Sequence, residues 1–270
     1  MLSINTWNST SRWIDAAGSR LNSASERIAS LRRINSAADD AAGLAISERL
    51  AAVLNGERIA RQGAMDGLSL AETADGALGQ VSSNLQRMRE LALQSRNGTL
   101  NDRDRASLDA EYRELGEEVD RVIGGTSFNG QRILAGDAGT RQINTGAGSG
   151  DTLGLTTPDL RADADLASAT GGSIATAAGS QGMIDAIDDA IGSIGQHRAK
   201  LGASERRLEA AADTSDLRYE STARAYARLT ATDVAATRSD WQQAQVQQYA
   251  AIAMFQHQQS SMQRLLSLFG

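Results

Sequence analysis

One stripe of residues dominates the end of the chain. Trp241, Gln245, Gln248, Ile252, Phe255, Gln259, Met262, Leu266 and Phe269 recur in alternating steps of four and three, with no Gly or Pro among them. That spacing predicts a continuous helix with a heptad seam. Three of the nine positions are Gln, so the seam is too polar for a lone two-stranded coil. A second seam stands at the other end. Ile14, Leu21 and Ile28 lie seven apart, and Ala17, Ala24 and Leu31 repeat the interval three residues later. Leu2, Ile4, Trp7 and Trp13 extend the apolar content to the N-terminus. Gly18 weakens this helix by about 1 kcal/mol. Pairing the two terminal helices buries both seams. A monomer would still leave an apolar edge wet, which implies a partner between chains as well as within the chain. The candidate self-assembly residues are Ile14, Leu21, Ile28, Ile252, Phe255, Met262, Leu266 and Phe269.

Between the two ends the helical period continues. The first helix is expected to stop near Leu31, and Asn35 or Ser36 to cap a second, with Asp39 and Asp40 in its first turn. From Leu44 to about Gln94, the positions Ala64, Gly67, Ala71, Ala74, Leu78, Val81, Leu85, Met88 and Ala92 keep a three-four alternation. The small residues at one end of this seam permit close helix approach. Asn97-Gly98 breaks the helix. Another begins at Asp102 or Asp104, carries Leu108, Tyr112, Leu115, Val119 and Val122, and ends at Gly124-Gly125. Asn129-Gly130 then marks a turn. Arg141–Thr145 and Asp151–Leu155 flank the glycine-rich stretch 146–150 and read as a short hairpin. Residues 159–180, rich in Ala, Ser, Thr, Gly and Asp, are expected to form a loop or irregular cap. Helical periodicity returns at Ile184, Ile187, Ile191, Ile194, Leu201 and Leu208, with Arg198 and Glu205 wetting the seam. It runs on to Leu229, with a bend expected near Thr230–Asp233. The fold class is therefore mainly α: long antiparallel helices in a coiled-coil rod, paired terminal helices, and a small β-hairpin insertion. Both chain ends are expected at one end of the rod.

Composition narrows the chemistry. The 270 residues are 41% hydrophobic but only 4% aromatic, with one proline and no cysteine. This suits small-residue helix seams rather than an aromatic core, and it excludes disulfides and thiolate catalysis. The net charge of −6 gives no electrostatic support for nucleic-acid binding. No apolar run approaches the roughly 20 residues needed to span a bilayer, so membrane insertion is not expected. The N-terminus has neither the basic flank nor the apolar run of a general secretory signal.

Catalytic readings find little support. The two histidines, His197 and His257, fall on separate helical segments. The adjacent pairs Asp39-Asp40 and Asp188-Asp189 point in different directions on a helix and suit caps or solvated faces. The stretch Gly146-Ala147-Gly148-Ser149-Gly150 lacks the Lys-Ser/Thr of a phosphate loop. No catalytic residue, metal ligand or cofactor is expected.

Several fragments, in order, carry a family resemblance. Residues 27–43, from Arg27-Ile28-Ala29 through Arg33-Ile34-Asn35-Ser36-Ala37-Ala38-Asp39-Asp40 to Gly43, come first. Leu85-Gln86-Arg87-Met88-Arg89-Glu90-Leu91, Thr126-Ser127-Phe128-Asn129-Gly130, Leu201-Gly202-Ala203 and the terminal Leu265-Leu266-Ser267-Leu268-Phe269 follow. Over nearly its whole length the chain resembles a bacterial flagellin. It departs from the family pattern at Leu31-Arg32, where Gly-Leu is common, and at Val234, Thr237 and Met262.

The resemblance implies a structural subunit that polymerises into the flagellar filament. It implies a terminal coiled-coil core (D0-like) from residues 1–40 and 230–270, and a helical rod (D1-like) from 41–229 with its β element at about 128–158. No outer domain is expected. It also implies export through the flagellar type III apparatus to an extracellular filament, and dealings with an export chaperone and with hook-junction and cap proteins. In flagellins sensed by Toll-like receptor 5 the contact patch matches Arg87, Leu91 and Glu111, where Arg offers a planar donor fork and Leu an apolar knob. Two other readings differ in kind: a hook–filament junction protein, and a surface protein that binds a polysaccharide or host receptor.

Overall fold

A computed structural model describes residues 2–269, and the side chains of residues 11–261, 263 and 264. The side chains of Leu2, Ile4, Trp7, Met262, Leu266 and Phe269 lie outside the described residues. The elements are α1 (Leu2–Ser30), α2 (Ala41–Ser95), α3 (Asp102–Gly125), β1 (Ser127–Phe128), β2 (Gln131–Arg132), β3 (Gly139–Asn144), β4 (Thr152–Thr157), α4 (Ala164–Thr170), α5 (Ala177–Thr230) and α6 (Val234–Phe269). The chain is mainly helical, with two small antiparallel sheets, β1–β2 and β3–β4. It divides into two compact units. One comprises residues 1–54 and 220–270, the other residues 55–219.

The second unit has one core. Ala71, Ala74, Leu78, Val81, Leu85 and Met88 of α2 are fully buried with Tyr112 and Val119 of α3 and with Ile187, Ile194, Leu201 and Leu208 of α5. The strict alternation on α2 is thus a core stripe, as its spacing requires. Ion pairs fix α2 and α5 antiparallel: Arg61 with Asp216, Arg89 with Asp188, and Arg198 in a two-pronged contact with Asp75 at 2.8 and 3.0 Å. Arg198, read from the sequence as wetting the seam, therefore ties its rim.

The β3–β4 hairpin lies directly on α2. An added Cβ on Gly63 would stand 2.7 Å from the Asn144 carbonyl oxygen, and one on Gly67 3.2 Å from Ile143. These glycines admit the hairpin, and Gly67 also admits the close approach of a helix that its place in the seam suggested, with Leu208 of α5 3.3 Å from the same added Cβ. The β1–β2 turn is built on Asn129 (φ 50°) and Gly130 (φ 77°), the pair of left-handed residues that a tight hairpin requires.

Two boundaries differ from the sequence reading. α2 begins at Ala41, and its cap is Asp40, which accepts from the Gly43 N–H at 2.8 Å. Asn35 and Ser36 instead donate backbone N–H groups to the Asp39 carboxylate at 3.1 and 3.0 Å. Those two bonds hold the Asp39 carboxyl below its ordinary range. The competing local Asx turn explains the shift, since the same residue types serve turns and caps. The segment 159–180 contains a two-turn helix, α4, capped by Asp163 through the N–H groups of Asp165 and Leu166. Leu166 and Ala169 are buried, so packing on α3 selects a helix that alanine-rich composition alone left irregular.

Tyr112 joins α3 to α4. Its hydroxyl donates to the Ala169 carbonyl at 2.5 Å. Burial, with the Asp109 charge adding to it, pushes the phenol up to about 12. Below pH 10 the phenol keeps its proton whether the chain is folded or unfolded. Between pH 10 and about 12 only the unfolded chain loses it, so stability falls as pH rises through that window. Denaturation midpoints measured from pH 9 to pH 12 are expected to fall less steeply in Tyr112→Phe than in the parent.

Candidate self-assembly surface

The first unit is built on the antiparallel pair α1 and α6. Trp241 Nε1 donates to Ser25 Oγ at 2.9 Å, Arg20 to Gln247 Oε1 at 3.3 Å, and the Gly18 backbone faces the Gln248 amide. As one number rises the other falls. Ala17, Ala24 and Ala244 are buried at the seam, while Ile14, Leu21, Ile28 and Phe255 are half-buried beside them. Small residues at the closest points let the helices approach, and larger ones flank them. Gln247, one residue off the α6 stripe, supplies the polar contact to Arg20.

Another side of α6 stays in water. Val246, Tyr249 and Met254 stand 66%, 64% and 69% exposed, and Ile252 is also exposed. On α1, Trp13 is 67% exposed. A groove of about 450 Å³ runs between the helices, lined among others by Trp13, Ala17, Ala251 and Met254. Sequence reasoning placed Ile252 on the seam and missed Val246, Tyr249 and Met254. Their signal was available in the spacing of Val246 and Tyr249, three apart and off the main stripe. Leu31, placed on the α1 seam, lies beyond the helix end and is 61% exposed.

The receptor-patch residues are on α2 and α3. Arg87 donates to Glu111 Oε1 from Nε at 3.1 Å and from Nη2 at 2.7 Å, and to Glu90 at 3.0 Å. The Glu111 hydrogen bond leads in raising the guanidinium above its ordinary range. Leu91, however, is only 1% exposed and belongs to the core. Being four residues apart does not put two side chains at the same depth: Leu91 lies where α2 meets its neighbours and Arg87 at the rim. It presents no apolar knob.

The remaining chemical candidates have structural surroundings. His197 Nε2 lies 3.5 Å from Asp163 Oδ2, which also accepts from Ser193 Oγ at 2.7 Å. Burial opposes the Asp163 charge, but Ser193, the α4 N–H groups and His197 outweigh it and hold the carboxyl below its ordinary range. His257 is exposed. The stretch 146–150 is a turn closed by Asp151, which accepts from the Gly148 N–H at 3.0 Å. Among the described residues no group of three or more His, Asp and Glu is placed to hold a metal ion, and no helix is long and apolar enough to cross a membrane.

Long helices, a core of small and aliphatic residues, and a terminal helix pair left apolar on one side define a structural subunit that completes its packing in an assembly. Residues 3–138 match the bacterial flagellin N-terminal helical region, and residues 184–269 the bacterial flagellin C-terminal helical region. The chain is 38% identical over 247 residues to a flagellin of Halalkalibacterium halodurans, covering 91% of this chain and 90% of that one. To flagellin A of Vibrio anguillarum it is 45% identical over 152 residues, which is 56% of this chain and 40% of that one. The crystal structure of Bacillus cereus flagellin superposes with a TM-score of 0.51 at 35% identity, covering 57% of this chain and 88% of that one. The chain belongs to the bacterial flagellin family. It is a structural subunit of the flagellar filament, a component exposed outside the cell that serves motility. Residues 139–183, between the two matched regions, hold the β3–β4 hairpin, α4 and the start of α5.

Proposed function

We propose that residues 1–40 and 230–270 form the inner core of the filament and residues 41–229 the surrounding rod, each subunit burying on its neighbours what α1 and α6 leave open. The observation that carries this reading is the exposed apolar side of α6 at Val246, Tyr249 and Met254. A helix that buries one side in its own chain and leaves leucine-sized groups wet on another is suited to contacts repeated from copy to copy. Contacts of that kind that do not close into a ring extend into a filament. Small shifts between packed helices then give the filament alternative subunit spacings and hence supercoils. Before assembly, an export chaperone covers the same apolar surface, and the chain leaves the cell unfolded through the type III apparatus. Hook-junction and cap proteins meet the two ends of the filament. Purified protein offered sheared filament fragments is expected to elongate them into long fibres under the electron microscope. A chain that stays monomeric would overturn the reading.

Recognition by Toll-like receptor 5 is a further proposal, resting on Arg87 and Glu111. The pair is exposed, and Arg87 is held by two carboxylates in a fixed orientation, which lowers the entropy lost on docking. Leu91 contributes by packing the helix beneath. An Arg87→Ala, Glu111→Ala double variant is expected to lose receptor activation in a reporter-cell assay while keeping the parent's helical circular dichroism. Activation equal to the parent's would refute it.

A further inference from the structure

Leu31, the first residue past the end of α1, combines a left-handed helix-terminating backbone with an exposed apolar side chain. Its backbone is left-handed, with φ at 55°, a region that costs any residue with a Cβ and is left mainly to Gly and Asn. Its side chain is 61% exposed, so no packing within the chain offsets that cost. The conformation is held from both sides. The Thr232 N–H donates to the Leu31 carbonyl at 3.2 Å, and the Arg33 N–H to the Thr230 carbonyl at 2.7 Å. Arg32 bridges to Ala231 across the same junction, donates to Tyr226 Oη at 2.7 Å, and lies over the Tyr226 ring. The segment joining α1 to α2 and the one joining α5 to α6 are thereby locked together, with Leu31 pointed outward from the lock. Val234, which opens α6 on the adjoining segment, is also exposed. Strain in a non-glycine residue persists only where its surroundings over-determine it. Here they fix an apolar group facing water.

We propose that Leu31 is an anchor that seats against a second copy of this chain in the filament. The occupant is another copy because the chain is a filament subunit, and α6, which begins at Val234, carries the exposed apolar residues already assigned to subunit contact. A rigidly held leucine loses little freedom on docking, which suits it to that role. The inference rests on the assembly reading, and the test separates the two.

The test uses the full-length chain with Leu31→Gly, Leu31→Asn and Leu31→Met. Gly and Asn both accept the left-handed backbone but remove the apolar group, whereas Met keeps it. The readouts are the thermal melt of the monomer and the critical concentration for seeded elongation. Gly and Asn monomers are expected to melt no lower than the parent, yet to need roughly ten-fold more protein to elongate, the scale set by burying one leucine side chain. Met is expected to stay within about two-fold of the parent. Gly and Asn variants that elongate like the parent would overturn the anchor while leaving the assembly reading intact. A Met variant as impaired as Asn would overturn it too. A parent chain that never elongates would overturn both.

Discussion

Filament growth is expected to stop when Val246 and Tyr249 are both replaced by Glu. The two side chains are among the most exposed large apolar groups in the structure, so the folded monomer loses little by the change. Glu is also a better helix former than Val or Tyr, which keeps α6 intact. An interface that buries this side of α6 must then take two carboxylates out of water without partners, at a penalty of several kcal/mol each. Seeded elongation scored by electron microscopy should fall below detection, with the monomer's helical circular dichroism unchanged. Parent-like fibres from this variant would mean that α6 is not buried between subunits. The paired change Ala244→Val is a useful contrast, because Ala244 is 3% exposed on the α1 seam and an enlarged side chain there strains the monomer itself by about 1–3 kcal/mol.

A large loss of stability in the second unit is expected from Asp109→Ala. The Asp109 side chain is almost fully buried on α3, where it pairs with Arg113 at 2.8 Å. Its Oδ1 accepts from Ser173 Oγ and from the Ile174 N–H, both at 2.7 Å. Ile174 is fully buried, and its carbonyl accepts in turn from Ser95 at the end of α2 and from Ser180 in α5. One carboxylate therefore anchors the strand of backbone on which three helices meet. Truncation leaves a buried N–H without an acceptor and removes charge-assisted bonds, about 2–4 kcal/mol in all. A urea titration should show the midpoint falling accordingly, with Asp109→Asn intermediate because one oxygen acceptor remains. A midpoint unchanged in the Ala variant would contradict this account.

Much of the architecture was legible from spacing. The α2 stripe from Ala71 to Met88 is a core stripe because residues three and four apart share a helix face, and only burial on a facing helix makes such a run of aliphatic and small residues stable. The Asn129-Gly130 turn was equally direct, since few residue pairs adopt two left-handed conformations in succession. The cap of α2 was less so. Asn35, Ser36, Asp39 and Asp40 are all competent capping residues, and which one acts depends on where the chain can bend after Leu31. α4 was hidden because seven residues carry too little periodicity to distinguish a packed helix from a loop.

The candidate surface divides in the same way. Ile14, Leu21 and Ile28 announced their pairing through the seven-residue interval. Val246 and Tyr249 offered only a two-member repeat off the main stripe, and Met254 none, so their solvent exposure was what set them apart. Leu91 shows the reverse: the sequence placed it four residues from Arg87, and the structure put it in the core. Likewise, nothing in the string of residues distinguishes Leu31 in a helical turn from Leu31 in a left-handed junction.

The sequence by itself determined that this protein is a set of long helices with its two ends paired, and through its motifs that it is a flagellin. Periodicity and residue order are local properties that survive in the unfolded chain. Only the tertiary structure decided which apolar residues remain in water, which glycines admit the hairpin, and which carboxylate ties three helices together. Those outcomes depend on what lies across from each side chain, and that neighbour comes from residues dozens to hundreds of positions away.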